Sequence, residues 1–593
     1  MLSKIVYYLQ IEGLCLTIFI ILILLYYLRK NTNPIVFILT FISWLFNAYI
    51  IVLLPYDIYL SNYDKQNLLV NKLKNIIRLL YTIIYWTTMV CSWVLIPLLS
   101  KYEGSGYFTR KEKLLYSIKS NLLFYGLIIL VGAGLFGLAY YKLKEEYLQY
   151  FFKNCFNFTY LYGFFFLILL LGYSIPKLPK NIYDKIFYEK EVRKIENETK
   201  NFKNKLDKVN KEMLDSFYKL IDIKEQIEID REMKAKNLKT LEDKIKENKT
   251  AHKKIEMYEK YITKKINYIR KNENVFGIKT KKIQLKTEEI SLKNIVDKIA
   301  SLNITLKENE WDNLRLQYQI QNSYNEWLFL KTVIIKGKKY KSSCIDQALR
   351  ESRIKLMESE DFIPIKPFST FKIFYYMKIY PIILFLASSI FLLLGIIILL
   401  SEICISLPWK ISIFNILNIW TENVFNIHIF IICSVFIFFL MCLYALMNFK
   451  LTKSYRVYGP RQTDAVSMLY FTCNFNRIIF PLCLNILIMI YHGNDEAKKT
   501  CLERDFGINI NNQIFLLISK YSPLVLIAFV LLNTFGIFSK IIDCFSVESI
   551  SSLLFDRSKN SEINEGYEYL MEINKKHNGK LLRDSITAQL TDT

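Results

Sequence analysis

An arginine stands in the middle of an otherwise uncharged run: residues 471–491 read FTCNFNRIIFPLCLNILIMIY, with Arg477 four positions ahead of Pro481. A charge at mid-depth in hydrocarbon costs at least about 2.5 kcal/mol on insertion scales, so such a side chain faces protein or a polar cavity and marks a site. At 3.6 residues per turn, Asn474, Arg477, Pro481 and Asn485 fall along one stripe of a helix. Pro481 has no N–H to give and crowds the carbonyl four residues back, which is that of Arg477, so a bend and a free acceptor are expected there. A guanidinium, two amides and an open carbonyl can hold a neighbouring span's carbonyls or carboxylate, or a lipid phosphate. Two readings follow: a ligand or lipid site, and a hydrogen-bond hub that fixes helix packing.

Other chemistry is sparse. The four histidines, His252, His428, His492 and His577, and the eleven cysteines contain no CxxC pair and no metal-ligand spacing. No nucleophile elbow, Walker sequence or paired-carboxylate spacing occurs, so an enzyme, a metal and a cofactor are not expected. GAGLFG (132–137) fits a dinucleotide fingerprint but lies inside an apolar run, where Ala133 and Gly137 read as a close-packing pair. Cys404 and Cys501 fall in two loops assigned to the outer, oxidising side, which allows a disulfide between them. Lys450, Lys453, Arg456 and Arg461 cluster in one short loop; each could contribute about 1 kcal/mol toward anionic lipid headgroups, or they reflect only the basic character of inward-facing loops.

The elements that must position these residues are membrane spans. The chain is 52% hydrophobic, and uncharged runs of about 20 residues, enough for roughly 30 Å of hydrocarbon, recur at both ends. Five lie before residue 180, starting at 13–28, and four after 360, at about 379–401, 424–448, 466–491 and 514–538. The count is nine, which places the termini on opposite sides. The net charge of +24 sits in the loops and the central region, as the positive-inside rule predicts for cytosolic segments, and does not require nucleic acid. The fold class is all-α: a polytopic membrane protein of five plus four spans, with the N-terminus outside or lumenal and the C-terminus cytosolic. Four parts are expected: 1–180, 181–366, 367–540 and a tail, 541–593.

Between 181 and 366 the composition turns to dense Lys and Glu over an apolar repeat. Leu206, Val209, Met213, Leu220, Ile223 and Ile227 keep alternating three and four spacing, with Ser216 the lapse. The pattern passes through Leu238, Leu241 and Ile245 and returns at Ile255, Ile262, Ile266 and Ile269; NENVFGIK (272–279) then offers Gly277 as a turn. A second seam follows at Ile295, Ile299, Leu302 and Leu306. The prediction is an antiparallel coiled-coil hairpin that reverses after Gly277. It serves either as a partner-binding arm or as a plain spacer.

LLPYDIYLS at the end of the second span, YWTTMVCSWVLIPLLSKYEGSGYFTRKEKLLYSIKSNLLFYG (85–126) and TDAVSMLYFTCNFNRIIFPLCLNIL (463–487) resemble the LMBR-type membrane protein family. The long arm and NEGYEYLMEINKK (564–576) are most similar to its LMBR-domain-containing protein two branch. The resemblance implies nine spans, an outer or lumenal N-terminus and an arginine ahead of a proline and an asparagine at the position of Arg477. It also implies residence in the plasma membrane or an endomembrane. Known roles in the family range over ligand uptake, vitamin export and regulation of receptor signalling, so membership defines architecture better than activity. The leading expectation is a receptor-like scaffold whose arm recruits cytosolic proteins. The alternative is a transporter or lipid-translocating protein built around Arg477.

Overall fold

The computed structural model describes residues 2–30, 32–61, 68–142, 147–237, 259–276, 292–342, 370–406, 424–448, 455, 457–490, 500–506, 513–537 and 565–575. Among them there are helices and no β-strand. The chain divides into two compact units, one of Met1–Gly104, Leu114–Ile182 and Leu386–Ile550, the other of Ser105–Lys113, Tyr183–Phe385 and Ser551–Thr593.

In the first unit the helices are α1 (Leu2–Tyr27), α2 (Pro34–Ser61), α3 (Leu68–Val90), α4 (Ile96–Glu103), α5 (Arg110–Lys142) and α6 (Tyr147–Asp184). Then, after the arm, come α12 (Tyr380–Ser406), α13 (Val424–Asn448), α14 (Ala465–Ile490), α15 (Cys501–Phe506) and α16 (Gln513–Thr534). A single π-helical turn, Cys91–Leu95, joins α3 to α4 without interrupting the helix. Eight helices are long and apolar enough to cross a bilayer among the described residues. The candidate ninth, α16, has 22 residues, roughly 33 Å, and its sequence is apolar over 514–518 as well as over Tyr521–Thr534. The centre of the unit is α14: 83% of its most apolar window is buried, against 12% for that of α5. Its apolar side chains join those of α2, α3, α6 and α13 in one core.

The glycine stripe of α5 departs from expectation. A Cβ at Gly132, Gly134 or Gly137 would meet nothing within 4 Å, so the small residues are not a close-packed seam among the described residues.

The second unit holds α7 (Tyr188–Asn237), α8 (259–271), α9 (Glu273–Phe276), α10 (Leu292–Ser342), α11 (Thr370–Phe374) and a terminal helix α17 (565–575). Met213, Phe217, Leu220 and Ile223 of α7 share a core with Ile262, Ile266 and Ile269 of α8 and with Ile299 and Leu306 of α10. Phe217, fully buried, fills the seam beside Ser216. Pairs along the legs run in opposite senses, Glu196 with Trp327 and Asn210 with Asn313, so α7 and α10 are antiparallel. α8 and α9 instead run with α10: Lys265 pairs with Glu310 at 2.7 Å, and Gln317 donates to the Val275 carbonyl. The reversal therefore precedes α8 rather than following Gly277. The apolar register continues through Leu238–Ile269 whichever way the chain runs, and so carries no sign of direction.

Candidate functional site

Two prolines build the surroundings of Arg477. In the π turn, the Ile96 N–H bonds to the Cys91 carbonyl, five residues back. The Ser92 carbonyl thus loses its usual α-helical donor, and the next N–H along would belong to Pro97, which has none. That open carbonyl accepts from Nη2 of Arg477 at 3.0 Å and from the Cys473 thiol at 3.1 Å. The guanidinium lies 4.3 Å from the centroid of the Trp93 ring, and its Nη1 donates to the Tyr162 hydroxyl at 3.4 Å. Each contact favours a planar, delocalised cation. No carboxylate faces it among the described contacts.

Pro481 performs the matching operation on α14. It leaves the Arg477 carbonyl without its helical donor, and Gly163 of α6 packs against that carbonyl. A Cβ at Gly163 would stand 2.2 Å from this oxygen and 2.8 Å from Cγ of Pro481. Only a glycine permits so close an approach. A cavity of about 30 Å³ remains beside Ser92, Trp93, Arg477 and Pro481, room for about two waters.

The polar stripe of α14 does not converge on one point. Asn474 donates back to the Tyr470 carbonyl of its own helix at 2.9 Å. Asn485 reaches the buried carboxyl of Glu402 in α12 at 2.6 Å. Asn476, which the stripe omits, accepts from Asn47 and donates to Ser43 of α2, and Thr472 accepts from the Trp44 indole. α2, α6, α12 and the π turn are thus each tied to α14 by a polar contact of their own. Ser92, Trp93, Tyr162, Gly163 and Glu402 escaped sequence reasoning. Pro97 and the lone acid of LLSEICIS were the available signals.

Cys404 and Cys501 are both free thiols rather than a disulfide. Cys501 is buried at the start of α15, where its N–H and that of Leu502 both donate to the Asp57 carboxylate at 2.9 Å. Burial pushes its thiol up to about 12, so little thiolate forms to be oxidised. Lys450, Lys453 and Arg456 lie outside the described residues. Arg461 is exposed and has φ 56°, with its N–H donating to the Tyr26 carbonyl at 2.7 Å.

A bundle of apolar helices around a polar-seamed central helix, with a separate helical unit inserted between its halves, defines a polytopic all-α membrane protein. The LMBR1-like membrane protein model matches residues 5–538, and the chain belongs to that family. It is similar to the human G-protein coupled receptor-associated protein LMBRD2, 22% identical over 520 residues that cover 84% of this chain and 69% of the human one. The protein of the same name from Caenorhabditis briggsae is 25% identical over 202 residues, 29% of this chain and 31% of that one. The LMBR1 domain-containing protein 2 homolog of Drosophila melanogaster is 32% identical over 107 residues, 18% and 15%. The matched stretches thus span less than a third of these last two relatives. No solved structure matches the chain.

Proposed function

We propose that the protein is a non-catalytic, receptor-associated membrane scaffold whose arm lies in the cytosol and recruits protein partners. The observation that carries this reading is that the arm has hydrophobic cores of its own, so it offers a shaped surface rather than a charged spacer. The relatives' names, which call them G-protein coupled receptor-associated, support it. Arg477 acts in this reading as a packing hub. Its partners are side chains and a carbonyl of adjoining helices, and the cavity beside it has the size of water rather than of a lipid or vitamin. The basic loop of Lys450, Lys453, Arg456 and Arg461 faces the same side as the arm, by the positive-inside rule. Protease treatment of sealed vesicles tests that sidedness: the arm and the tail should be cut together.

The scaffold role is tested by co-purifying proteins with the full chain in mild detergent. Lys205, Lys208 and Lys211 lie exposed on α7. Reversing them to Glu should remove specific partners without altering the melting of the membrane unit. An unchanged set of partners contradicts the reading.

A second reading, translocation of a small solute, is favoured by the buried Glu402–Asn485 pair, since an intramembrane carboxyl often lines a pathway. Reconstituted chain that shows a solute or proton flux abolished by Glu402→Gln would establish it. Equal flux through both would remove it.

A further inference from the structure

The terminal helix α17 sits in a groove of the arm with more specificity than a trailing segment needs. Gly566, Leu570 and Asn574 occupy successive turns of one face, and all three are buried. At Gly566 the two backbones nearly touch: a Cβ there would stand 2.1 Å from the Glu196 carbonyl of α7. Leu570, fully enclosed, enters a core formed by Val192, Ile195, Trp327 and Leu330. Asn574 accepts from the buried Tyr324 hydroxyl at 2.9 Å.

Outside this face, the rim of the groove is basic and the helix is acidic and aromatic. Lys200 pairs with Glu565 at 3.1 Å, Lys203 lies 4.3 Å from the Tyr569 ring centroid, and Lys331 lies 5.0 Å from that of Tyr567. Glu196 accepts from the Trp327 indole at 2.9 Å and faces Lys331, so its carboxylate keeps partners within the two legs. A helix of about eleven residues is marginal alone in water, and α17 takes its order from the groove.

We propose that this groove is a binding site for acidic, aromatic amphipathic helices with a small residue, an apolar residue and an amide at i, i+4 and i+8. In this arrangement α17 is its built-in occupant and a partner's helix gains the site by displacing it. The mode is helix-in-groove recognition with the ligand supplied in cis, and tethering raises the local concentration of the occupant over a free competitor. The inference rests on the arm being the recruiting part, and it names the surface and the chemistry of the partner.

The test uses the full chain and a fluorescent peptide of residues 563–577. The variant Gly566→Leu with Leu570→Asp ejects α17 but alters no residue of the groove. It should bind the peptide at least tenfold more tightly than the unaltered chain, and a peptide carrying Leu570→Asp should bind neither. Equal binding by both chains overturns the proposal. If the double variant fails to fold, hydrogen exchange of the unaltered chain decides. Excess isotope-labelled peptide should speed exchange of residues 565–575, and unchanged exchange at saturating peptide is the contrary result. Either experiment can fail while the arm still captures proteins elsewhere on its surface, so failure here leaves the scaffold reading standing.

Discussion

α14 and α10 are both long helices with buried asparagines, yet they meet their surroundings differently. In α10 an apolar stripe faces α7 and α8, with Glu310 buried beside it against Lys265, and Asn313 sits inside the stripe bonded to Asn210 and to the Phe276 carbonyl at 2.9 Å. Water drives that association, and the amide selects the register. In α14 apolar residues surround the helix, and lipid tails are as apolar as leucine, so burial of that kind selects no neighbour. The selecting contacts are polar or steric: Arg477 to Ser92, Asn476 to Asn47, Asn485 to Glu402, and Gly163 against a freed carbonyl. One region is assembled by its oily seam and refined by amides. The other is refined by packing and assembled by its few polar groups.

The sharpest way to break the comparison is to fill the closest contact in the membrane unit. Gly163→Leu would force carbons into the Arg477 carbonyl and the Pro481 ring, at a cost above about 3 kcal/mol, the upper end for overpacking. Fluorescence-detected size exclusion should show loss of the monodisperse peak. A variant that melts like the unaltered chain would mean that α6 and α14 do not pack this closely.

Next in size is Arg477→Leu, which deletes a charge-assisted hydrogen bond and a ring contact. The expected loss is about 2–4 kcal/mol, seen as lower thermal stability and yield. Lysine should rescue poorly, because a point charge cannot both lie over Trp93 and reach Ser92 and Tyr162. A stable leucine variant that has lost only its cellular activity would turn the hub into a ligand site.

In the arm, Trp327→Phe keeps most of the buried ring but removes the donor to Glu196, at about 1–3 kcal/mol. Thermal melting of the full chain followed through the exchange of arm amides reads it. Equal melting would mean that the seam alone carries this end of the arm.

The smallest effect is one of pH. Burial raises the Glu310 carboxyl above the ordinary glutamate range, against the pull of Lys265. Stability from such a group is fully present below the unfolded pKa, about 4.3, and is lost as pH rises through the higher folded value. Glu310→Gln removes that dependence, so its advantage over the unaltered chain should grow as pH rises above about 4. A constant difference across that range would mean that the Lys265 pair offsets the burial completely.

How much of this was legible follows from the same physics. The arm's seam was visible because water imposes a period on the sequence: Met213, Leu220, Ile223, Ile262, Ile266 and Ile269 are all buried where the repeat expects them. The direction of each leg was not, because a heptad reads alike both ways. In the membrane unit, hydropathy marks the spans without saying which helix each one faces. Arg477 stood out because charge is rare there, but its partners did not, because a backbone carbonyl and a glycine carry no signature of their own. Pro97 carried one, since a proline inside a span always frees an acceptor that something must satisfy.

The central claim is the division of labour between a membrane unit held by its own polar contacts and an arm that meets other proteins. Photo-crosslinking in cells addresses it directly, with a photoreactive amino acid placed in the full chain at Lys208 of the arm or at Leu123 of α5, a residue 83% exposed. Position 208 should give discrete adducts with other proteins, and position 123 adducts with lipid. Protein adducts at 123 together with none at 208 would contradict the account, and would move the recruiting surface from the arm into the bilayer.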